Sequence, residues 1–529
     1  MNRTFFAILL VLTLLLTGCE KTVQGPAGNA GSVVITLGEA QILVDGKTAS
    51  TDPTAAVYTA NDLVYYEEGK DFTYGEGTQA DAHSAAEAAA HTVVHIAKAG
   101  TYRLCGTLPK GQIAVDLGEG AEDDPSAMVT LILDGVDITC EAAPAVIFYR
   151  VYECGNTDSP SKDVDTSAAG ANVIIADGSR NTVNGSYVAR IYKPDTVILN
   201  AEGTAVDDAK KLHKYDGAFY SKMSMNIDGG EEGSGTLAIY AKNEGLDSEL
   251  HLTINGGNIS IFSGNDGINT NEDGVSVTTI NGGTLNISVT GETGEGDGID
   301  SNGWLVINGG SVIASACANS ADAGIDSDMG IHINSGTVIA GGHMLDRIED
   351  GGQTYAVFSF AQEQNGKETL LLKDKDGAVV QELTLPNACS TVIYSSSKLQ
   401  PGTYTLWRGQ QQLAGAKGVA IGGGMQPGGI MPDGQGGNIQ PPQGELPANG
   451  IQSPDDAFRP GEKMPPDGGL MPPDGNAPPD RPQAPGGGFG KDFGGNRFDG
   501  ESFGGTQTLS AEFVIAEGGN MFSGIAPMV

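Results

Sequence analysis

Four short turns in the middle of the chain carry an acid or an amide as their third residue: Gly245-Leu246-Asp247-Ser248, Gly267-Ile268-Asn269-Thr270, Gly298-Ile299-Asp300-Ser301 and Gly324-Ile325-Asp326-Ser327. Aligned, they put Asp247, Asn269, Asp300 and Asp326 at one position. A second position, three to four residues earlier, holds Asn243, Asn265 and Asp322, with Asp266 and Asp297 one residue further on. Between Asn243 and Gly342 there are thirteen acids and no Lys or Arg. Carboxylates set side by side repel, and with no base in the segment something else must neutralise them. Calcium suits the donor set, since it takes six to eight oxygens from carboxylates, amides and backbone carbonyls. Magnesium fits less well, because its strict octahedron seldom suits an all-protein loop cage. The plainer alternative is that these Asp and Asn residues only form turns, with water and sodium screening their charge. The expected metal ligands are therefore Asn243, Asp247, Asn265, Asp266, Asn269, Asp297, Asp300, Asp322 and Asp326.

These turns need a scaffold that stacks them. A second motif supplies it: Ile227-Asp228-Gly229-Gly230, Ile254-Asn255-Gly256-Gly257, Ile280-Asn281-Gly282-Gly283, Ile307-Asn308-Gly309-Gly310 and the relaxed Ile333-Asn334-Ser335-Gly336. The steps between copies are 27, 26, 27 and 26 residues. Each copy is followed by an alternating strand such as Thr284-Leu285-Asn286-Ile287. A period of this length without helical spacing fits one coil of a parallel β-helix, with glycine at corners that need positive φ. The isoleucines then stack inward, while Asn255, Asn281, Asn308 and Asn334 form a side-chain amide ladder one strand spacing apart. A propeller is excluded, since its blades need about 40 residues each. Calcium-roll nonapeptides are excluded too, because their glycine-aspartate spacing is absent.

The whole chain has 66 acids against 29 bases, a formal charge of −37 that argues against nucleic acid as a partner. At the start, Arg3 precedes the apolar run Phe5 to Leu16, which is short for a membrane span and ends in Leu16-Thr17-Gly18-Cys19. That run reads as a bacterial lipoprotein signal over residues 1–19, with Cys19 acylated. The expected location is extracytoplasmic, on the cell surface, with the membrane reached through the lipid anchor only. The expected organisation continues with a tether over 20–56, a capping segment over 57–91 and the repeats over 92–342. A small antiparallel β-module follows over 343–420, then a disordered Gly/Pro-rich insertion over 421–505 and a returning strand over 506–529.

Two further residue groups bear on function. Alternation along Trp304-Leu305-Val306-Ile307 points Trp304 outward, where its flat ring suits the face of a sugar. Tyr240, Phe219 and Tyr220 are weaker candidates for the same role. A lyase acting on uronates needs a base beside its calcium. The strongest repeats hold none, although Lys210, Lys211, His213, Lys214, Lys222 and Lys242 lie just upstream.

The run Ala99-Gly100-Thr101-Tyr102-Arg103-Leu104, the segment Leu131-Ile132-Leu133-Asp134-Gly135-Val136-Asp137-Ile138 and the paired turn motifs resemble the carbohydrate-binding β-helix family of cellulolytic clostridia. Ser395-Ser396-Ser397-Lys398-Leu399 and the Gly/Pro-rich insertion fit the same pattern. The resemblance implies a right-handed parallel β-helix, an architecture similar to polysaccharide lyase family 9. It also implies bound calcium and affinity for cell-wall polysaccharide such as cellulose or polygalacturonate. This chain departs from the family pattern at Ala323, where Asp is usual, and at Tyr220, which replaces the laddered Asp.

The resulting expectation is an all-β, non-catalytic surface protein that binds polysaccharide through calcium-loaded turns, calcium bridging the acids of protein and polymer. The competing readings are a calcium-dependent pectate lyase and a structural adhesin for a protein partner.

Overall fold

The computed structural model describes residues 31–155, 160–418 and 509–528. Contacts divide the chain into residues 1–450 with 509–529, and residues 451–508; every described residue belongs to the first unit. Cys19 with the signal segment 1–19, and the insertion 421–505, lie outside the described residues.

The described chain is all-β with parallel-rich sheets. Each central repeat contributes three strands, and each strand pairs in parallel with its counterpart one repeat on. One ladder runs through Met225–Asp228, Leu252–Ile254, Val277–Ile280, Trp304–Ile307 and Gly330–Ile333. A second runs through Thr236–Ala241, Asn258–Ser263, Thr284–Val289, Ser311–Ser315 and Thr337–Gly342. The third joins Gly217–Ser221, Glu244–Ser248, Ile268–Thr270 and Ile299–Ser301.

The register follows from what each position must bury. Ile227, Ile254, Ile280, Ile307 and Ile333 are in register and fully buried, each removing an aliphatic side chain from water worth about 1.5–3 kcal/mol. A slip of one residue would turn all five toward solvent. Just beyond them the amide ladder forms as the spacing requires. Asn281 Nδ2 donates to Asn255 Oδ1 at 2.9 Å, Asn308 to Asn281 at 2.9 Å and Asn334 to Asn308 at 2.8 Å.

Glycine is needed in these corners for two different reasons. Gly283 turns the chain at a φ of 83°, a region that side chains with a Cβ avoid. Gly267 is needed for space: a Cβ there would lie 2.2 Å from Ile287 Cγ2 and 2.5 Å from the Gly298 carbonyl oxygen.

Both edges of the stack are paired. At one, Val33–Leu37 adds in parallel to Gly100–Leu108, and Val57–Ala60 lies antiparallel to Thr92–Ile96. The expectation of a tether across 20–56 is corrected here for residues 31–56. Ile35 and Leu37 are buried where this strand pairs with Gly100–Leu108, with Val33 half-buried. At the other edge, Cys389–Ser396 pairs antiparallel with Thr337–Gly342 and with Tyr355–Gln364. Residues 509–528 return to this antiparallel module, whose separate core holds Phe358, Phe513 and Phe522. Paired ends of this kind remove the open edges that would otherwise invite further strands.

Candidate functional site

The third ladder concentrates the acids. Tyr220, Asp247, Asn269 and Asp300 are directly in register, one per coil. Asp326 continues the column, its amide donating to the Ile299 carbonyl at 2.7 Å. Tyr220 is fully buried, and its hydroxyl donates to Glu249, so an aromatic ring closes the column below Asp247.

A second column stands immediately before the turn glycines: Glu244, Asp266, Asp297 and Ala323 precede Gly245, Gly267, Gly298 and Gly324. Asp266 accepts the Asp297 amide at 2.7 Å, and Asp297 accepts the Ala323 amide at 2.6 Å. These two carboxylates tie each coil to the next. Asp322 does likewise for the Gly296 amide, at 2.6 Å. Asn243 and Asn265 sit at the rim, half-buried; Asn243 Nδ2 donates to the Asp216 carbonyl at 3.2 Å and the Asn265 amide donates to the Asn243 carbonyl at 3.1 Å.

Between the columns lies the least satisfied part of the described structure. Asp247, Glu244 and Asn269 are 0%, 5% and 7% exposed. Asn269 Nδ2 donates to Glu244 Oε1 at 3.0 Å, and Asn271 Nδ2 donates to Asp247 Oδ1 at 2.5 Å. Glu244 Oε2, Asp247 Oδ2 and Asn269 Oδ1 have no hydrogen-bond partner. Three buried acceptors without a donor form an arrangement that costs several kcal/mol unless a cation or protons fill it.

The titration of the cluster says the same. Burial, with the charge of Asp216 next, pushes the Glu244 carboxyl up to about 8. Asp247 is held well above the usual carboxylate range by burial and then by Glu244. Asp266 and Asp297 are raised by burial and then by Glu244 and by Asp266 respectively. At the far end Asp326 is pushed up to about 8 by burial and by Asp346, a carboxylate from the segment that follows the repeats. Against these acids stands Arg190, whose guanidinium pairs with Asp216 at 2.8 Å.

Among the described residues no three His, Cys, Asp or Glu side chains surround one point as a metal centre does. The three orphaned oxygens belong to two carboxylates and one amide, and calcium accepts amide and carbonyl oxygens as readily as carboxylates. The donor chemistry therefore fits a hard cation, and the trio is the place where it fits best.

Comparison with known proteins bears on what such a scaffold is for. Residues 90–354 match a family described as carbohydrate-binding domain-containing protein. The chain belongs to that family. A carbohydrate-binding domain-containing protein of Acetivibrio thermocellus is 30% identical over 170 residues, which are 32% of this chain and 44% of the relative. The match thus spans less than half of that relative's length. A solved structure titled as the polysaccharide lyase-like protein from C. thermocellum, gadolinium derivative, aligns with 58% of this chain and 90% of its own at 18% identity and a TM-score of 0.33, too slight a likeness to argue from.

The remaining sequence candidates fall in different places. Trp304 is half-buried, between Val277 and Gly330 in register, so no second ring extends it. Of the upstream bases, Lys210 is exposed, Lys214 is half-buried, and Lys242 is exposed and donates to the Glu141 carbonyl at 3.3 Å. Lys211 pairs with Glu76 at 2.8 Å, Lys222 with Glu122 at 3.4 Å, and His213 is buried against Tyr215. Sequence reasoning missed Glu244 and Asn271. Glu244 was findable as the residue just before a turn glycine, in line with Asp266 and Asp297, but it breaks the Asp/Asn pattern by residue type.

Proposed function

We propose that this chain is a non-catalytic polysaccharide-binding protein whose right-handed parallel β-helix is clamped by calcium. Family membership across residues 90–354 supports the carbohydrate part of this reading. The observation that carries the calcium part is the buried trio of unpartnered oxygens on Glu244, Asp247 and Asn269. These three would hold the ion, with Asp266 and Asp300 adding negative charge nearby. Bound there, calcium supplies the positive charge that lets the buried carboxylates stay ionised.

The burial of the trio alters the role first expected of calcium. An ion enclosed at this depth joins neighbouring coils and cannot also bridge to an acidic polymer outside. Calcium dependence of sugar binding then arises because the ion fixes the coils that carry the sugar-contacting face. Cell-wall polysaccharides of the cellulose and polygalacturonate classes are the proposed partners, met outside the cytoplasm by a protein held through a lipid on Cys19.

A pull-down panel of insoluble and immobilised polysaccharides, run with calcium and with chelator, tests this reading. Retention on at least one cell-wall polymer, weakened by chelation, is the expected result. Retention on none of them overturns it. Incubation with polygalacturonate and calcium should leave the absorbance of unsaturated uronate flat, and a sustained rise would replace binding by lyase activity.

A further inference from the structure

Residues 160–169 cross the outer face of the first ladder without forming a strand or helix of their own. One residue pins them. The Thr166 hydroxyl donates to Asn226 Oδ1 at 2.7 Å and lies 2.7 Å from the Thr253 hydroxyl, while Asn226 Nδ2 donates to the Thr166 carbonyl at 2.7 Å. Lys162 and Asp163 stand near enough to His332 to influence its titration. Asn226, Thr253, Thr279, Val306 and His332 are in register on successive strands, so this strap runs along the stack from coil to coil. The lengths agree. Thr253 to His332 is three strand spacings, about 14 Å, and Thr166 to Lys162 is four extended residues, about 13 Å.

The floor beneath the strap is polar. Asn226, Thr253 and Val306 are only 8%, 6% and 5% exposed, although strand alternation turns them away from the core that Ile227, Ile254 and Ile307 fill. Apart from the valine, these are hydroxyls, amides and an imidazole that water would serve equally well, and exchanging such bonds with water stabilises a fold little. The strap is polar in turn, Ser161-Lys162-Asp163-Val164-Asp165-Thr166, with Ser161, Asp163 and Asp165 exposed. Among the described residues, Lys162 and Asp163 bond only to each other and to Ser161. A strap held to the coils chiefly through Thr166 can be lifted off.

The flanks of this channel suit a sugar. Half-buried Trp304 stands two residues before Val306 on the same strand, and Asn308 of the exposed amide ladder stands two residues after it. Asn281 and Asn308 each donate one bond and accept one within the ladder, which leaves a second N–H and a second lone pair on each amide for a partner. Near His332 the charges outside the strap are Arg347 and Glu349, which pair at 2.6 Å and neutralise each other.

We infer that the channel over Thr253, Thr279, Val306 and His332 is a polysaccharide site, occupied in the free protein by residues 160–166 and opened when an uncharged, hydroxyl-rich linear sugar polymer displaces them. This inference rests on the polysaccharide-binding reading and adds where the polymer lies and what holds it off. Sugar hydroxyls take over the bonds that Thr166 makes to Asn226 and Thr253, a pyranose face meets the Trp304 indole, and the ladder amides bond the polymer's edge.

The test is calorimetric titration of the full chain with cellohexaose in calcium, for the parent, Thr166→Val, and Thr166→Val combined with Trp304→Ala. Removing the Thr166 hydroxyl loosens the strap without changing its bulk. Thr166→Val should bind about five- to tenfold more tightly than the parent, because a site that is closed part of the time binds in proportion to its open fraction. The added Trp304→Ala change should abolish that gain. Equal or weaker binding by a Thr166→Val protein that melts like the parent overturns the strap, and a gain that survives Trp304→Ala overturns its placement beside that ring. Trypsin cleavage of the parent after Lys162 decides the question even if Thr166→Val folds poorly. Saturating cellohexaose should speed that cleavage, and an unchanged or slower rate overturns the inference. Retention of the parent on other polymers, with no cellohexaose binding by either the parent or Thr166→Val, overturns the channel and leaves the polysaccharide reading intact. No binding of any polymer by parent or Thr166→Val overturns both.

Discussion

Asp247 and Asn269 lie side by side on adjacent parallel strands, both buried, and Asp247 Oδ2 and Asn269 Oδ1 each lack a hydrogen-bond partner. Two acceptors stacked in this way destabilise the coils that hold them until something positive lies between.

The Asp247→Asn variant should therefore reverse its rank with conditions. In chelator at neutral pH it is at least as stable as the parent, because it removes a buried carboxyl that resists ionisation. With calcium at a hundredfold excess over Kd, the parent gains about 2.7 kcal/mol and the variant loses most of that gain. Urea unfolding of both proteins in both buffers measures the reversal. Parallel behaviour in the two buffers would mean that Asp247 holds no ion.

The spacing of the coils sets a second expectation. Gly267→Ala forces a methyl against Ile287 and the Gly298 carbonyl, both fixed by packing, and should cost about 1–3 kcal/mol or more. Gly274→Ala meets open space and bears only the strain of its φ of 68°, about 1 kcal/mol. Thermal unfolding of the two variants should rank them in that order.

Asn281 is an interior rung of the amide ladder, donating to Asn255 and accepting from Asn308. Its replacement by Ala breaks two bonds and should cost about 1–2 kcal/mol, against half of that for Asn334→Ala at the end. Equal costs at the two positions would show the rungs to be solvated and energetically idle.

His251 supplies a pH dependence. Burial depresses its pKa to about 4, and its Nδ1 accepts the Val277 amide at 3.1 Å. The neutral ring is the folded form, so its stabilisation is complete above about 6.5 and lost as pH falls toward 4. Between pH 7 and pH 5 this single group should remove about 2 kcal/mol of stability. The raised carboxyls of the cluster have the opposite slope, since the folded state holds their protons more tightly than the unfolded chain. The His251 part is isolated by difference, as the lost slope in His251→Asn, whose amide oxygen can still accept the Val277 amide. An unchanged slope would place the titration elsewhere.

Much of this arrangement could be read before any coordinates. Repetition every 26 or 27 residues fixes which residues stack, so the inward isoleucines, the Asn255 to Asn334 ladder and the column of Asp247, Asn269 and Asp300 all follow from alignment of the motifs. What alignment could not supply was depth. Asp247 is buried while Asn243 and Asn265 stay at the rim, because the chain turns between them. Glu244 escaped notice since it differs in type from its stacked partners. Val33–Leu37 was hidden because its pairing partner, Gly100–Leu108, is more than sixty residues away.

Calorimetric titration of the metal-stripped protein with calcium chloride, beside Asp247→Asn, bears most directly on the clamped-coil account. The account predicts saturable heat in the parent, a matching rise in melting temperature, and a large loss of both in the variant. No heat in the parent, with a melting temperature indifferent to calcium and chelator alike, would contradict it and leave the buried acids to be neutralised by protons alone.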